Sequence, residues 1–127
     1  MAEVFFKRAY SDYPYLIIAQ HPYKVKLGNL RQTIRAFVYQ KADLFGDSCP
    51  LTLAGLLIVF NMYNTDGILV SSGPAYVSNL DESEIEYTWR DFDMKETGVY
   101  YGEFIFTDID DTTFVLPDRD RIQIVIY

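Results

Sequence analysis

Short segments in which apolar and polar residues alternate, separated by turn residues, constrain this chain to an all-β fold. The clearest covers residues 84–89, where Ile85, Tyr87 and Trp89 share one side of an extended strand. About eight or nine such segments follow one another, with turn signals every eight to twelve residues, which is typical of an antiparallel β-sandwich. No segment has a convincing helical period.

The same alternation predicts which residues face the core. The run from Leu53 to Tyr63 is the most continuously apolar and predicts a buried central strand. The segment from Ser71 to Pro74 predicts a break between two strands, and Asp43 to Pro50 predicts a loop. The residues expected to point inward are Ile34, Ala36, Val38, Ile58, Phe60, Met62, Ile122, Ile124 and Ile126.

A corner before the strand that starts at Gly98 is the most specific local feature. Gly98 supplies the backbone freedom of a tight turn. Tyr100 follows two residues later, where a β-sandwich corner is often tied down by a phenol hydroxyl. Asp93 lies in the charged segment that leads into the turn. We therefore interpret Asp93, Gly98 and Tyr100 as a structural corner.

Length and charge exclude several classes of function. The chain has 127 residues, which fits one domain, with 50% hydrophobic and 17% aromatic residues. Its formal net charge of −7 argues against nucleic acid and anionic membrane surfaces as partners, because both require clustered Lys and Arg. Cys49 is the single cysteine and cannot form an intramolecular disulfide. No apolar run approaches the ~20 residues of a membrane span.

The sequence offers no catalytic set. His21 is the sole histidine, so neither a Ser–His–Asp triad with a second candidate nor a Cys–His zinc site can be assembled. Asp108, Asp110 and Asp111 have the oxygen ligands that Ca²⁺ prefers, but not the spacing of an EF-hand loop, so a solvated hairpin turn is favoured. We predict no catalytic, cofactor-binding or metal-binding residues and no enzymatic activity.

Residues 1–21 differ from the regular strands of residues 22–127. They are aromatic, rich in turn residues and non-periodic, which predicts either an edge strand of the sandwich or an arm that docks on a neighbouring subunit. Exposed aromatic side chains are favoured interface anchors. The candidate protein-contact residues of this arm are Phe5, Phe6, Tyr10, Tyr13, Tyr15, Leu16 and Ile17.

The ordered landmarks of residues 23–127 resemble a known family. They include Tyr87-Thr88-Trp89, then Asp93, then Gly98-Val99-Tyr100-Tyr101-Gly102-Glu103-Phe104, Phe114-Val115-Leu116-Pro117 and the terminal isoleucines. This series is similar to the immunoglobulin-like N-terminal domain of baseplate upper proteins of tailed phages. The resemblance implies an immunoglobulin-like sandwich of about eight strands.

The resemblance also implies a function and a location. We expect a non-enzymatic structural component of a tailed-phage virion, assembled in the host cytoplasm, that acts as an adaptor of the tail or baseplate. Its partners would be other virion proteins in a symmetric multi-copy assembly. A capsid decoration protein, a neck or fibre-anchoring protein and a host-glycan-binding module are the alternatives left open.

Overall fold

The computed structural model describes residues 14–18, 20–41, 48–50, 52–117 and 120–127. These residues form ten strands and one short 3₁₀ helix between β7 and β8, so the all-β prediction is confirmed. The strands are β1 Tyr15–Ile18, β2 Tyr23–Val25, β3 Thr33–Lys41, β4 Ser48–Pro50, β5 Leu57–Tyr63, β6 Leu69–Asn79, β7 Glu84–Thr88, β8 Gly98–Thr107, β9 Thr113–Leu116 and β10 Ile122–Ile126. The 3₁₀ helix is Asp91–Asp93.

The strands form one curled sheet whose two halves face each other. Its order is β1-β3-β7-β6-β5-β8-β10-β2, with β4 paired to β3 and β9 paired to β8. We call β1, β3, β4 and β7 layer 1, and β2, β5, β8, β9 and β10 layer 2. Every pairing is antiparallel except that of β2 with β10, which is parallel. The immunoglobulin-like sandwich is therefore present, with more strands than predicted and one parallel pair.

Strand β6 belongs to both layers. It pairs with β5 as far as Ala75 and with β7 from Tyr76 onward. The predicted break from Ser71 to Pro74 is wrong, because β6 runs through it without interruption. Pro74 lies just before the crossover, where only β5 is a neighbour, and a residue without an N–H is tolerated on such an unpaired side.

The core lies between the layers and follows the alternation of the sequence. Phe60 of β5 packs on Tyr87 of β7 with ring centroids 4.7 Å apart, and on Phe104 of β8 at 5.0 Å. All of the residues predicted to point inward are buried: Ile34, Ala36, Val38, Ile58, Phe60, Met62, Ile122, Ile124 and Ile126. The period of two in the sequence thus identified the inner faces correctly.

Two strand predictions were wrong. Ser48–Pro50 forms β4 against β3 instead of continuing a loop. Within the run from Leu53 to Tyr63, only the part from Leu57 onward is a strand. Its outward-facing side is not covered, and Leu57 is 72% exposed to solvent. Apolar content alone does not show whether the outer face of a strand is covered.

None of the described residues belongs to a helix long and apolar enough to span a membrane.

Gly102 marks the closest approach inside layer 2. A Cβ at this position of β8 would lie 2.6 Å from the Phe60 ring and 2.9 Å from Ile124 Cδ1. Both neighbours are fully buried and belong to the strands that flank β8. A side chain at position 102 therefore has no space without displacing the core.

We expect Gly102→Ala to destabilise the protein by about 1–3 kcal/mol through overpacking, measured by urea unfolding. The same substitution in a Phe60→Leu background should cost less, because the smaller side chain leaves room for the new methyl group. Equal costs in the two backgrounds would show that the ring of Phe60 does not restrict position 102.

Candidate functional site

The corner before β8 is closed as the sequence predicts. Gly98 has a φ of +152°, a conformation that L side chains rarely adopt. The Tyr100 hydroxyl donates a hydrogen bond to the backbone carbonyl of Glu96, four residues earlier, at 3.0 Å. This is the geometry of a tyrosine corner, and it fixes the chain where it enters β8.

Asp93 is the centre of a buried hydrogen-bond network. Its carboxylate accepts hydrogen bonds from the Tyr87 hydroxyl at 2.6 Å, from the Arg90 backbone N–H at 2.8 Å and from the Ser71 hydroxyl. Asp93 is only 4% exposed. The Arg90 guanidinium lies over the Phe92 ring at 4.3 Å and donates to the Ser72 carbonyl at 2.6 Å. The network joins β6, β7 and the 3₁₀ helix, which is a structural role.

Tyr87 is the titratable group that this network changes most. Burial raises the pKa of Tyr87 to about 12, and the hydrogen bond to the negatively charged Asp93 adds to this rise. The folded protein therefore holds the phenol proton more tightly than the unfolded chain does. The network is arranged to keep this hydroxyl as a donor and not to release its proton.

The acidic segment Asp108–Asp111 is a hairpin turn between β8 and β9. Asp108 accepts hydrogen bonds through Oδ1 from the backbone N–H groups of Asp110, at 2.9 Å, and Thr112, at 3.0 Å. Asp111 has a φ of 63° in the turn. Within the described residues, no group of three His, Cys, Asp or Glu side chains lies together as a metal site would require.

Part of the predicted N-terminal arm is a strand of the sandwich. Residues Tyr15, Leu16 and Ile17 belong to β1, which pairs antiparallel with β3. Leu16 is fully buried, Tyr15 is 8% exposed, and Ile17 is half-buried. Tyr15 and Leu16 are thus packed within the sandwich, in the strand at one end of the sheet order, and a contact of this segment with another subunit stays a prediction. Phe5, Phe6, Tyr10 and Tyr13 lie outside the described residues.

The outer face of layer 2 carries a contiguous apolar row. Strand register places Val59 directly between Pro74 of β6 and Ile105 of β8, and Ile105 is also opposite Val115 of β9. Val59 and Val115 are each 36% exposed. Leu57, two residues before Val59 on β5, is 72% exposed. We call Pro74, Val59, Ile105 and Val115 the apolar row.

A second row lies two residues further along the same strands. Ser72, Asn61 and Glu103 are adjacent across β6, β5 and β8. The Ser72 hydroxyl donates to Asn61 Oδ1 at 2.6 Å, and Arg121 Nε pairs with Glu103 Oε1 at 2.8 Å. We call Ser72, Asn61, Glu103 and Arg121 the polar row, and its members bond to one another.

A third row, beyond the polar row, is aromatic. Tyr63 of β5 lies opposite Tyr101 of β8. The Tyr63 hydroxyl donates to Glu103 Oε2 at 3.1 Å, and Arg121 lies over the Tyr63 ring at 3.7 Å. We call Tyr63 and Tyr101 the aromatic row. The three rows give this face a graded surface, from aliphatic at one end to aromatic at the other.

The centre of the outer face of layer 1 has a different character. Glu86 lies between Arg35 of β3 and Tyr76 of β6, with an ion pair to Arg35 at 2.8 Å and a hydrogen bond from the Tyr76 hydroxyl at 2.6 Å. Next to it, the Ser78 hydroxyl donates to the Glu84 carboxylate at 2.6 Å. These strands therefore present charged groups where layer 2 presents its apolar row.

The outer face of layer 2 was not predicted from the sequence as a candidate site. The run Leu56-Leu57-Ile58-Val59-Phe60 contains a signal, because five successive apolar residues make both faces of a strand apolar. The prediction from this run was a central strand with both faces buried. The other members of the row lie 15 to 56 residues after Val59 in the sequence, from Pro74 to Val115, so strand register was needed to assemble the row.

Comparison with known proteins gives one structural similarity. No protein-family model matches the chain, and no curated protein matches it. Among solved structures, it is similar to CopC from Methylosinus trichosporium OB3b, with 11% identity, 84% of each chain covered and a TM-score of 0.46. A similarity at this level carries no argument about what the chain binds.

The comparison corrects the predicted function. The structural match is to CopC and not to a virion protein, so the prediction of a structural component of a tailed-phage particle is wrong. The adaptor, decoration, neck and glycan-binding alternatives are withdrawn with it. The resemblance to baseplate upper proteins itself stays a prediction, as does the absence of enzymatic activity. The ordered landmarks behind that resemblance include buried residues and the corner, which specify a fold and not a biological setting.

Replacing Tyr100 tests the corner. We expect Tyr100→Phe to lower the free energy of unfolding by about 1 kcal/mol, because it removes the hydrogen bond to Glu96 and keeps the ring. Chemical denaturation at neutral pH measures the change. Ile17→Val, a small change on the half-buried side of β1, serves as a comparison for a packing effect without a hydrogen bond. An unchanged stability in Tyr100→Phe would mean that the hydroxyl does not hold the corner.

Replacing Tyr87 tests the buried network through its pH dependence. The pKa of Tyr87 is raised from 10.0 in the unfolded chain to about 12 in the folded protein. Its contribution to stability is therefore complete below pH 10.0 and is lost as the pH rises toward 12. Tyr87→Phe should be less stable at neutral pH but should lose less further stability across that interval. Parallel curves of stability against pH for the two proteins would contradict this assignment.

Proposed function

We propose that the chain is a non-catalytic interaction domain that binds another protein through the outer face of layer 2. The single observation that carries this proposal is the apolar row, whose members are adjacent on four strands: Pro74, Val59 and Val115 are exposed, and Ile105 is half-buried between Val59 and Val115. Contiguous exposed apolar surface on a sheet marks an interaction site more often than scattered apolar residues do.

The polar row supports the proposal because a partner protein can bury its carboxylate and amide oxygens at a low cost in free energy. Burying a polar group without a hydrogen-bond partner costs about 1–3 kcal/mol. Here Glu103 already has Arg121 and Tyr63 as partners, and Asn61 already accepts from Ser72. A partner that covers this row leaves these bonds in place. The face therefore combines an apolar surface with the Glu103 carboxylate and the Asn61 amide oxygen, which already have donors.

Two carboxylates of the described residues, those of Asp93 and Asp108, each accept several hydrogen bonds from backbone or hydroxyl groups and hold the fold. Asp93 is buried and accepts several hydrogen bonds, and Asp108 is engaged by backbone N–H groups of its own turn. General acid or base catalysis requires a group that reaches a substrate. Neither carboxylate meets this requirement, since both are occupied in holding the fold.

Site-specific photo-crosslinking in the cells that make the protein tests this function. We expect a crosslinker at Ile105 to give a discrete protein adduct, and one at Thr88, exposed on layer 1, to give none. The double variant Val59→Thr/Val115→Thr keeps the β-branched shape of both side chains and removes their apolar character. It should abolish the adduct while changing stability by no more than about 0.5 kcal/mol.

Two results would overturn the proposal. One is equal crosslinking at Ile105 and Thr88, which would indicate random encounters with other proteins instead of binding through one face. The other is an adduct at Ile105 that is unaffected by the threonine variant. In either case the apolar row would be exposed surface without a partner.

A further inference from the structure

We infer that the partner covering this face is a second copy of the same chain, related by a twofold axis that lies across the strands over Glu103. This inference rests on the proposed function and specifies the occupant of the same face. It follows from the order of the rows, from the charges at the two ends of the face and from the size of the face.

The order of the rows is self-complementary. Along β8, Tyr101 of the aromatic row and Ile105 of the apolar row lie two residues on either side of Glu103. A twofold axis perpendicular to the strands at Glu103 exchanges these positions between the copies. Each apolar row then faces the aromatic row of the other copy, and the two polar rows meet at the axis. An interface with a twofold axis requires this kind of self-complementarity.

The charges at the two ends of the face differ. Lys24 of β2 is exposed and lies beside Val125 of β10, at the end of the face where β8 begins. The turn between β5 and β6 at the same end carries exposed Asp66, so this end has charges of both signs. The acidic turn Asp108–Asp111 lies at the opposite end, where β8 finishes. The twofold axis brings the Lys24 end of one copy toward the acidic turn of the other. A twofold axis parallel to the strands would instead place the two acidic turns together.

The face is large enough for a stable dimer. It spans β6, β5 and β8, with β10 and β2 beside the first half of β8 and β9 beside the second half, and the nine residues from Val99 to Thr107 along β8. With strands about 4.8 Å apart and a rise of about 3.3 Å per residue, this corresponds to roughly 600 Å², the lower end of the range for specific interfaces. Specific interfaces bury about 800 Å² on each partner. Face-to-face packing of two sheets thus fits the available surface.

Sedimentation equilibrium of the purified full chain tests the dimer. We expect a concentration-dependent rise from 14.8 kDa toward twice that mass as the protein approaches several hundred micromolar. Ile105→Lys should raise the dissociation constant at least about thirtyfold, because it places a charge opposite the aromatic row. Its circular dichroism spectrum should remain that of the folded protein.

Charge reversal and crosslinking test the position of the axis. Lys24→Glu should weaken the dimer, and adding Asp110→Lys should restore much of the loss. In a Cys49→Ser background, Ser72→Cys should be linked to its own copy by a short bismaleimide reagent, because Ser72 lies in the polar row at the axis, and a reagent of this kind spans the ~10 Å between two packed sheets. Ser78→Cys, on layer 1, is the matched control and should remain monomeric.

A sedimentation mass that stays at 14.8 kDa at every concentration would overturn the inference. A dimer in which Ser72→Cys and Ser78→Cys crosslink equally would overturn the proposed axis. If the chain stays monomeric while Ile105 still crosslinks to a different protein, the interaction function stands and the second copy is ruled out as its partner.

Discussion

The contact between Tyr87 and its two neighbours is the constraint on which the sandwich depends. The Tyr87 ring packs on Phe60 across the layers at 4.7 Å, and its hydroxyl donates to the buried carboxylate of Asp93. One side chain thus joins the apolar core to the segment that leads into the corner before β8. Removing the hydroxyl would leave a buried carboxylate with one donor fewer, which costs more than the bond itself contributes.

The alternation of the sequence predicts the inner faces because a period of two is a local property. Ile34, Phe60 and Ile124 could each be assigned from their immediate neighbours, and all three are fully buried. The tyrosine corner is also local, since Tyr100 and Glu96 are four residues apart. Features within one strand or one turn were therefore accessible from the sequence.

The structural features that could not be predicted from the sequence depend on contacts between residues far apart in the chain. Whether Pro74 ends a strand depends on which strands are paired with β6 at that residue. The change of partner of β6, from β5 to β7, has no signal in the sequence. The parallel pairing of β2 with β10 joins the two ends of the chain. The apolar row is of the same kind, because its members are adjacent only once the register of four strands is known.

The two outer faces show why exposure alone does not identify a binding surface. On layer 1, Glu86 is also paired, with Arg35, and the two side chains are 11% and 54% exposed. On layer 2, Glu103 and Arg121 are 12% and 39% exposed, and the guanidinium of Arg121 stacks on Tyr63. That cation–π contact already replaces part of the water around Arg121. Arg121 thus has less hydration to lose under a partner than Arg35, and this difference, together with the exposed apolar side chains, supports the proposal that layer 2 carries the binding face.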